Sequence, residues 1–268
     1  MKTEQDKAGD AYWENVWKES ELQLPIIPES KSINNYFNHI AHNYFKKQFK
    51  NLETKNKKIL EVGCGNSVWL PYFAKEFGMQ LYGLDYSEIG CSQERKILER
   101  EKLAGTIYCA DLFSTPQELL NSFDFVVSFG VVEHFKDTSQ VIKQLSLFLK
   151  PGGTLITFIP NLTGLYGWLQ KHFNRPVYDI HNPIDKDDLK NAIQKSGLEI
   201  TSIQYAGSIG LSLNLEGIEK NIFYFPKKLS NFCLSRFCKI FWLIDFYLFP
   251  LPVLKPFAMA VFSFAKNK

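Results

Sequence analysis

The sequence predicts an α/β fold, a mostly parallel sheet with helices on both faces, and three observations predict it. The first is the stretch KKILEVGCGNSVWLPYFAKEFGMQLYGLDY, residues 57–86. A short apolar run from Ile59 to Val62 stops at Gly63 and Gly65, and a helical pattern follows over 67–77. A second apolar run, Leu81 to Leu84, ends on Asp85. Strand, glycine turn, helix, strand, acid is the order of a nucleotide-binding βαβ unit. The second observation is the run FDFVVSFG at 123–130, which suits a central strand buried on both faces. The third is that Asp85 and Asp111 both close predicted strands, where open α/β sheets gather their ligand contacts.

Taken in order, residues 1–31 read as an irregular arm. Tyr12, Trp13 and Trp17 recur in it at helical spacing, and Pro25 and Pro28 end any helix. The arm either caps the domain or folds over a ligand. A helix is predicted over 32–50 with Ser32 as N-cap and Ile33, Tyr36, Phe37, Ile40 and Tyr44 on one face. Strands at 58–62, 80–84 and 106–110 alternate with helices at 67–77 and 88–102, the second capped by Ser87. Pro116 opens a short helix. After the 123–130 strand come a helix at 137–149, a turn at Pro151-Gly152-Gly153 and a strand at 154–159. A lid helix is predicted at 162–169. A helix at 186–196, capped by Asp185, leads to a strand at 198–205, and a seventh strand is predicted at 257–264. The pattern is therefore Rossmann-like: seven strands, an N-terminal helical arm, and a hydrophobic insertion before the last strand. The implied divisions are 1–54 arm, 55–207 core, 208–256 insertion and 257–268 final strand.

A full dinucleotide fingerprint places a third glycine where Val68 stands. That favours a ligand with a ribose but no diphosphate. With these residues in hand, the chain resembles the class I S-adenosylmethionine-dependent methyltransferases over about residues 55–205. Glu61-Val62-Gly63-Cys64-Gly65 is similar to their first motif, Leu84-Asp85 to their ribose-binding acid, and Ala110-Asp111-Leu112 to their adenine-contacting segment. Pro151-Gly152-Gly153 resembles their turn before strand five. The similarity is nearest to the small-molecule branch that includes the ubiquinone-pathway O-methyltransferases, whose members carry a pair like Glu133-His134. Ser67 departs from the pattern, since many members have glycine there.

The resemblance implies S-adenosylmethionine as cofactor, held by Glu61, Gly63, Cys64, Gly65, Asp85, Tyr86, Ala110, Asp111, Leu112 and Gly130. It implies Glu133 and His134 as catalytic residues. His134 suits proton abstraction from an acceptor hydroxyl or amine, since an ordinary imidazole titrates near neutrality. The same pair is also read as simply ordering the ligand loop. A divalent ion on Glu133 and His134 would need a further acid, and Val132 offers none, so no metal is assigned. Tyr166, Trp168 and His181 are the candidate acceptor contacts. The expected activity is methyl transfer to an oxygen or nitrogen of a small, hydrophobic or membrane-associated acceptor. Two other readings stay open: an NAD(P)-dependent oxidoreductase on a similar sheet, and a non-catalytic module that binds the cofactor at a membrane surface.

Bulk properties narrow the field. A net charge of +3 and no dense basic tract exclude nucleic acid as an expected partner. The five cysteines form no CxxC pair, which fits reduced thiols in the cytoplasm. The N-terminus has no apolar signal core, which fits the same location. Aromatic residues reach 15%. Residues 232–249 are nearly all apolar, yet three charges interrupt them and the run is short for a membrane span. With Lys227, Lys228, Lys239 and Lys255 around it, the stretch 226–256 reads as a membrane-surface helix at the inner face, or as a lid or subunit contact. Oligomeric state is left open.

Overall fold

The computed structural model describes residues 6–268 except 216 and 218–221. The first five residues of the arm and that part of the insertion lie outside the described residues. Seven strands form one sheet: β1 (Lys58–Val62), β2 (Gln80–Asp85), β3 (Gly105–Cys109), β4 (Phe123–Phe129), β5 (Leu149–Pro160), β6 (Glu199–Ala206) and β7 (Ala260–Lys266). Their order is β3-β2-β1-β4-β5-β7-β6. The first five strands run parallel, and β7 pairs antiparallel to both β5 and β6. After β3 the chain returns to the other side of β1 and lays down β4. The connections leaving β1 and β4 therefore diverge, and a crevice opens at their carboxyl ends.

Nine helices are seen among the described residues: α1 (Asp10–Glu19), α2 (Tyr36–Phe49), α3 (Trp69–Phe77), α4 (Glu88–Arg100), α5 (Thr138–Ser146), α6 (Leu165–Phe173), α7 (Arg175–Asp179), α8 (Lys186–Lys195) and α9 (Tyr224–Tyr247). One apolar layer joins the sheet to α2, α3 and α4 through Phe45, Phe49, Phe73 and Leu98. The opposite layer joins it to α5 and α8 through Val141, Leu145, Leu189 and Ile193. Burying whole aromatic rings supplies the largest apolar areas per residue. Phe45, Phe73, Phe262 and Phe264 do so at the centre of the first layer.

The structure moves four expected boundaries. Ser32 makes no side-chain cap; residues Ile33–Asn35 form a 3₁₀ turn and α2 starts at Tyr36. Pro151-Gly152-Gly153 is not a turn before the strand but a bulge inside β5: Phe123 pairs with Leu149 and Phe125 with Thr154, so four residues loop out opposite Asp124. Gly152 takes φ +79° there, and the bulge pairs with Asn267 through Gly152 N–H to its carbonyl at 2.9 Å. The last strand begins at Ala260 rather than 257. The apolar helix is α9, 24 residues long, and begins at Tyr224, with Pro226 in its first turn, where a missing N–H costs no helical bond. No helix among the described residues is long and apolar enough to cross a membrane.

α9 packs by one side only. Cys238 is buried, Trp242 stacks on Tyr36 at 4.9 Å and 7°, and the Trp242 indole donates to the Ile209 carbonyl at 2.7 Å. Asp245, the helix's acid, accepts the Tyr36 hydroxyl and the Leu251 N–H. The other side leaves Phe225, Leu229, Phe232, Phe237, Ile240 and Leu243 exposed.

Candidate active site

A cavity of about 750 Å³ fills the crevice, within the roughly 300–1,000 Å³ common for small-molecule sites. Its floor is the glycine turn. Gly63 sits at φ +78°, and a Cβ there would lie 2.4 Å from Val131 Cγ2, so any other residue is strained and displaces the Val131 side chain. The Gly65 N–H donates to Asp85 Oδ2 at 2.8 Å, and the Ser87 N–H donates to Asp85 Oδ1 at 2.8 Å. Both carboxyl oxygens are thereby aimed from the end of β2. Burial raises the Asp85 carboxyl to about 6, against the lowering pull of those N–H groups.

Acids dominate the lining. Asp6, Asp10, Glu61, Asp85 and Asp111 face the cavity, and no lysine or arginine does so among the described residues. Glu61 Oε1 accepts the Ser67 hydroxyl at 2.7 Å, while its Oε2 is buried without a partner. Burial pushes the Glu61 carboxyl up to about 8. An orphaned buried carboxyl oxygen is costly unless a donor or cation reaches it. Such a cavity fits a positively charged ligand and opposes a pyrophosphate.

The arm forms the roof. Trp17 covers the glycine turn so closely that a Cβ on Gly65 would lie 2.8 Å from its Nε1 and one on Gly90 2.9 Å from its Cδ1. Asp6 Oδ2 accepts the Trp13 indole N–H at 2.8 Å and the Tyr86 hydroxyl at 2.6 Å. The Lys7 N–H donates to the His134 carbonyl at 2.9 Å. Asn66, itself at φ +52°, donates to the Glu21 carbonyl at 3.0 Å.

Residues 132–134 form a 3₁₀ turn, whose neighbours point about a third of a revolution apart. That geometry separates the expected catalytic pair. His134 faces the cavity, whereas Glu133 is buried and is not among the lining residues. Burial raises the Glu133 carboxyl to about 8, and its Oε2 has no partner. The His134 Nδ1 lies 3.1 Å from the Ile180 carbonyl. A carbonyl only accepts, so this contact assigns the proton to Nδ1 and leaves a lone pair on Nε2. His181 packs behind it, ring centroids 4.5 Å apart, and its own Nδ1 bonds to the Val177 carbonyl. Burial lowers both imidazoles, His181 to about 4.

Of the residues expected at the cofactor, Glu61, Gly63, Gly65, Asp85, Tyr86, Ala110, Asp111, Leu112 and Gly130 line the cavity. Cys64 is buried and does not. Nor do Tyr166 and Trp168: α6 packs Tyr166 against α9 and leaves Trp168 57% exposed beside His172. His181 reaches the site only through His134. Sequence reasoning did not assign Asp6, Trp13, Trp17, Asn66, Trp69 or Phe129 to the site, though the helical spacing of Trp13 and Trp17 was the available signal. No cluster of three or more His, Cys, Asp or Glu side chains suited to a metal occurs among the described residues.

A glycine turn, an acid at the end of β2 and an acidic cavity at the switch point fit the cofactor site of an S-adenosylmethionine-dependent methyltransferase. Residues 36–203 match the family model described as Methyltransferase domain, and the chain belongs to that family. It is 28% identical over 201 residues to the ubiquinone biosynthesis O-methyltransferase of Coxiella burnetii, covering 72% of this chain and 77% of that protein. It is 28% identical over 158 residues to the chloroplastic tocopherol O-methyltransferase of Arabidopsis thaliana, and the match spans 55% of this chain and only 45% of that relative. The solved structure of geranyl diphosphate C-methyltransferase from Streptomyces coelicolor A3(2), determined with S-adenosyl-L-homocysteine, superimposes with a TM-score of 0.59 at 13% identity, covering 95% and 96% of the two chains. That likeness shows the shared fold.

Proposed function

We propose that the chain transfers a methyl group from S-adenosylmethionine to a hydroxyl oxygen of a small hydrophobic acceptor, with an amine nitrogen as the alternative nucleophile. The observation that carries the acceptor half is His134: the residue lines the cavity, and Nδ1 is pinned to the Ile180 carbonyl, which leaves the ring's lone pair on Nε2. A buried imidazole kept neutral accepts a proton from a hydroxyl as the methyl group moves, and such assistance is worth about 10²–10⁴ in rate. The sulfonium supplies the methyl group and a good leaving group. The protein's part is alignment and exclusion of water.

In this reading the glycine turn and Glu61 take the methionine end, Asp85 the ribose, and Asp111 with Leu112 the adenine. Asp111 Oδ1 already accepts the Phe113 N–H at 2.7 Å, which fixes its orientation. Trp13, Trp69, Phe129 and Phe135 give the cavity aromatic walls that suit a flat, apolar acceptor. The names of the ubiquinone and tocopherol relatives support an O-methylated acceptor of that chemistry. Within the expected arm, α1 and the residues flanking it act as the lid of the core at 55–207, while α2 belongs to the packed core. The exposed apolar face of α9, with Lys228 and Arg236 beside it, rests on an anionic membrane surface, where such an acceptor partitions; Lys227, Lys239 and Lys255 are instead turned to Phe173, Asn34 and Asp185.

The experiment is methyl transfer from labelled S-adenosylmethionine to a panel of alkyl-substituted phenols and amines. Labelled phenol ether supports the reading. Labelled amine alone corrects the atom, and no transfer to either class removes the acceptor assignment.

A further inference from the structure

Ser67 stands where the first motif ordinarily continues with glycine, and the structure gives its backbone and hydroxyl separate partners. Its N–H donates to Glu94 Oε2 at 3.0 Å, its hydroxyl donates to Glu61 Oε1 at 2.7 Å, and its Oγ accepts the Trp69 N–H at 3.1 Å. Glu94 belongs to α4 and does not line the cavity. It is wholly buried, and its Oε1 has no partner. α4 comes this close because Gly90, one turn earlier on the same face, has no side chain: a Cβ there would meet Gly65 Cα at 3.1 Å. Gly90 lets the helix touch the turn, and Glu94 reaches beneath it.

We propose that Glu94 is a positioning residue for the cofactor site: it fixes the Ser67 backbone and, through the Ser67 hydroxyl, sets the carboxyl of Glu61. Glu61 and Ser67 both face the cavity, and Glu61 keeps its Oε2 for a ligand donor. The ammonium of the cofactor's methionine portion is the group that would take it, so the inference rests on the cofactor reading given above. The charged groups facing Glu94 are Glu61 from β1, Asp85 from the end of β2 and Arg100 of its own helix. Burial first, and then the Glu61 charge, raise the Glu94 carboxyl to about 9. A protonated Glu94 holds Ser67 without adding a negative charge beside Glu61 and Asp85, and glutamine reproduces that state.

The test is calorimetric affinity for S-adenosylmethionine and, separately, for 5′-methylthioadenosine, which has the adenosine but no amino acid. Losing the acceptor for a buried N–H corresponds to about tenfold in affinity. Glu94→Leu should weaken S-adenosylmethionine by about that factor and leave methylthioadenosine unchanged, while Glu94→Gln stays within about twofold of the parent. Ser67→Ala should match Glu94→Leu, and the double variant should cost no more than the worse single. If Glu94→Leu does not fold, Ser67→Ala decides alone. Equal loss of both ligands in Glu94→Leu, or full S-adenosylmethionine affinity in Ser67→Ala, overturns the proposal. Failure of the parent protein to bind S-adenosylmethionine sinks the cofactor reading instead.

Discussion

The imidazole of His134 is held between the Ile180 carbonyl, 3.1 Å from its Nδ1, and the Trp13 indole, which meets the ring edge-on at 5.1 Å and 84°. One partner fixes the tautomer and the other fixes the plane. His134→Ala should lower kcat by about 10²–10⁴ and leave the affinity for S-adenosylmethionine within about twofold. Burial holds this imidazole below its usual value of 6.5. The acid limb of the rate profile should therefore fall below pH 6.5, with a plateau above it. Unchanged turnover in the variant would remove His134 as the base.

Asp85 gives a prediction on binding rather than rate. Its carboxyl titrates at about 6, raised chiefly by burial. Ribose hydroxyls need it ionised as an acceptor, so cofactor affinity should decline as pH drops through 6. Asp85→Ala should weaken binding about tenfold or more at neutral pH, and Asp85→Asn less, because the amide oxygen still accepts. Calorimetry at pH 5 and pH 7.5 checks both.

Trp17 against Gly65 tests the roof. Gly65→Ala places a Cβ 2.8 Å from the Trp17 Nε1 and 3.0 Å from Asp85 Oδ2. Cofactor binding should be lost in Gly65→Ala. In the double variant with Trp17→Ala it should return only in part, since the Asp85 contact persists. Trp17→Ala alone should speed cofactor release, measured by stopped-flow fluorescence. A release rate equal to the parent's would show that the arm is not a lid.

Glu133 predicts how stability follows pH. Its folded carboxyl sits at about 8 and the ordinary value is 4.5, so the folded protein holds the proton more tightly than the unfolded chain. That contribution is complete below pH 4.5, shrinks as pH rises and is gone above 8. Glu133→Gln should flatten the fall in Tm between pH 5 and 8. A slope equal to the parent's would contradict the buried, protonated state.

Much of this was legible beforehand, for identifiable reasons. β1 and the glycine turn were readable because an apolar run ended by two glycines admits few conformations. Asp85 and Asp111 were legible as acids at the ends of predicted strands, and both line the cavity. The bulge at 150–153 was not readable, since it depends on pairing with Asn267 more than a hundred residues away. Nor was the start of α9, because Pro226 signals a break in sequence yet sits harmlessly in a first turn. That Tyr166 and Trp168 lie away from this cavity was hidden for a related reason: an aromatic pair on a short helix looks the same in sequence whether it faces a cavity, α9 or solvent. Glu133 and His134 are adjacent in sequence, and only the 3₁₀ turn divides their directions.

The most direct measurement is side-by-side calorimetry of the parent protein with S-adenosylmethionine, S-adenosylhomocysteine and NAD. The five acids of the cavity predict a single site for S-adenosylmethionine, weaker binding of the homocysteine form that has lost the sulfonium charge, and no heat from NAD. Binding of NAD with none of S-adenosylmethionine would contradict the account.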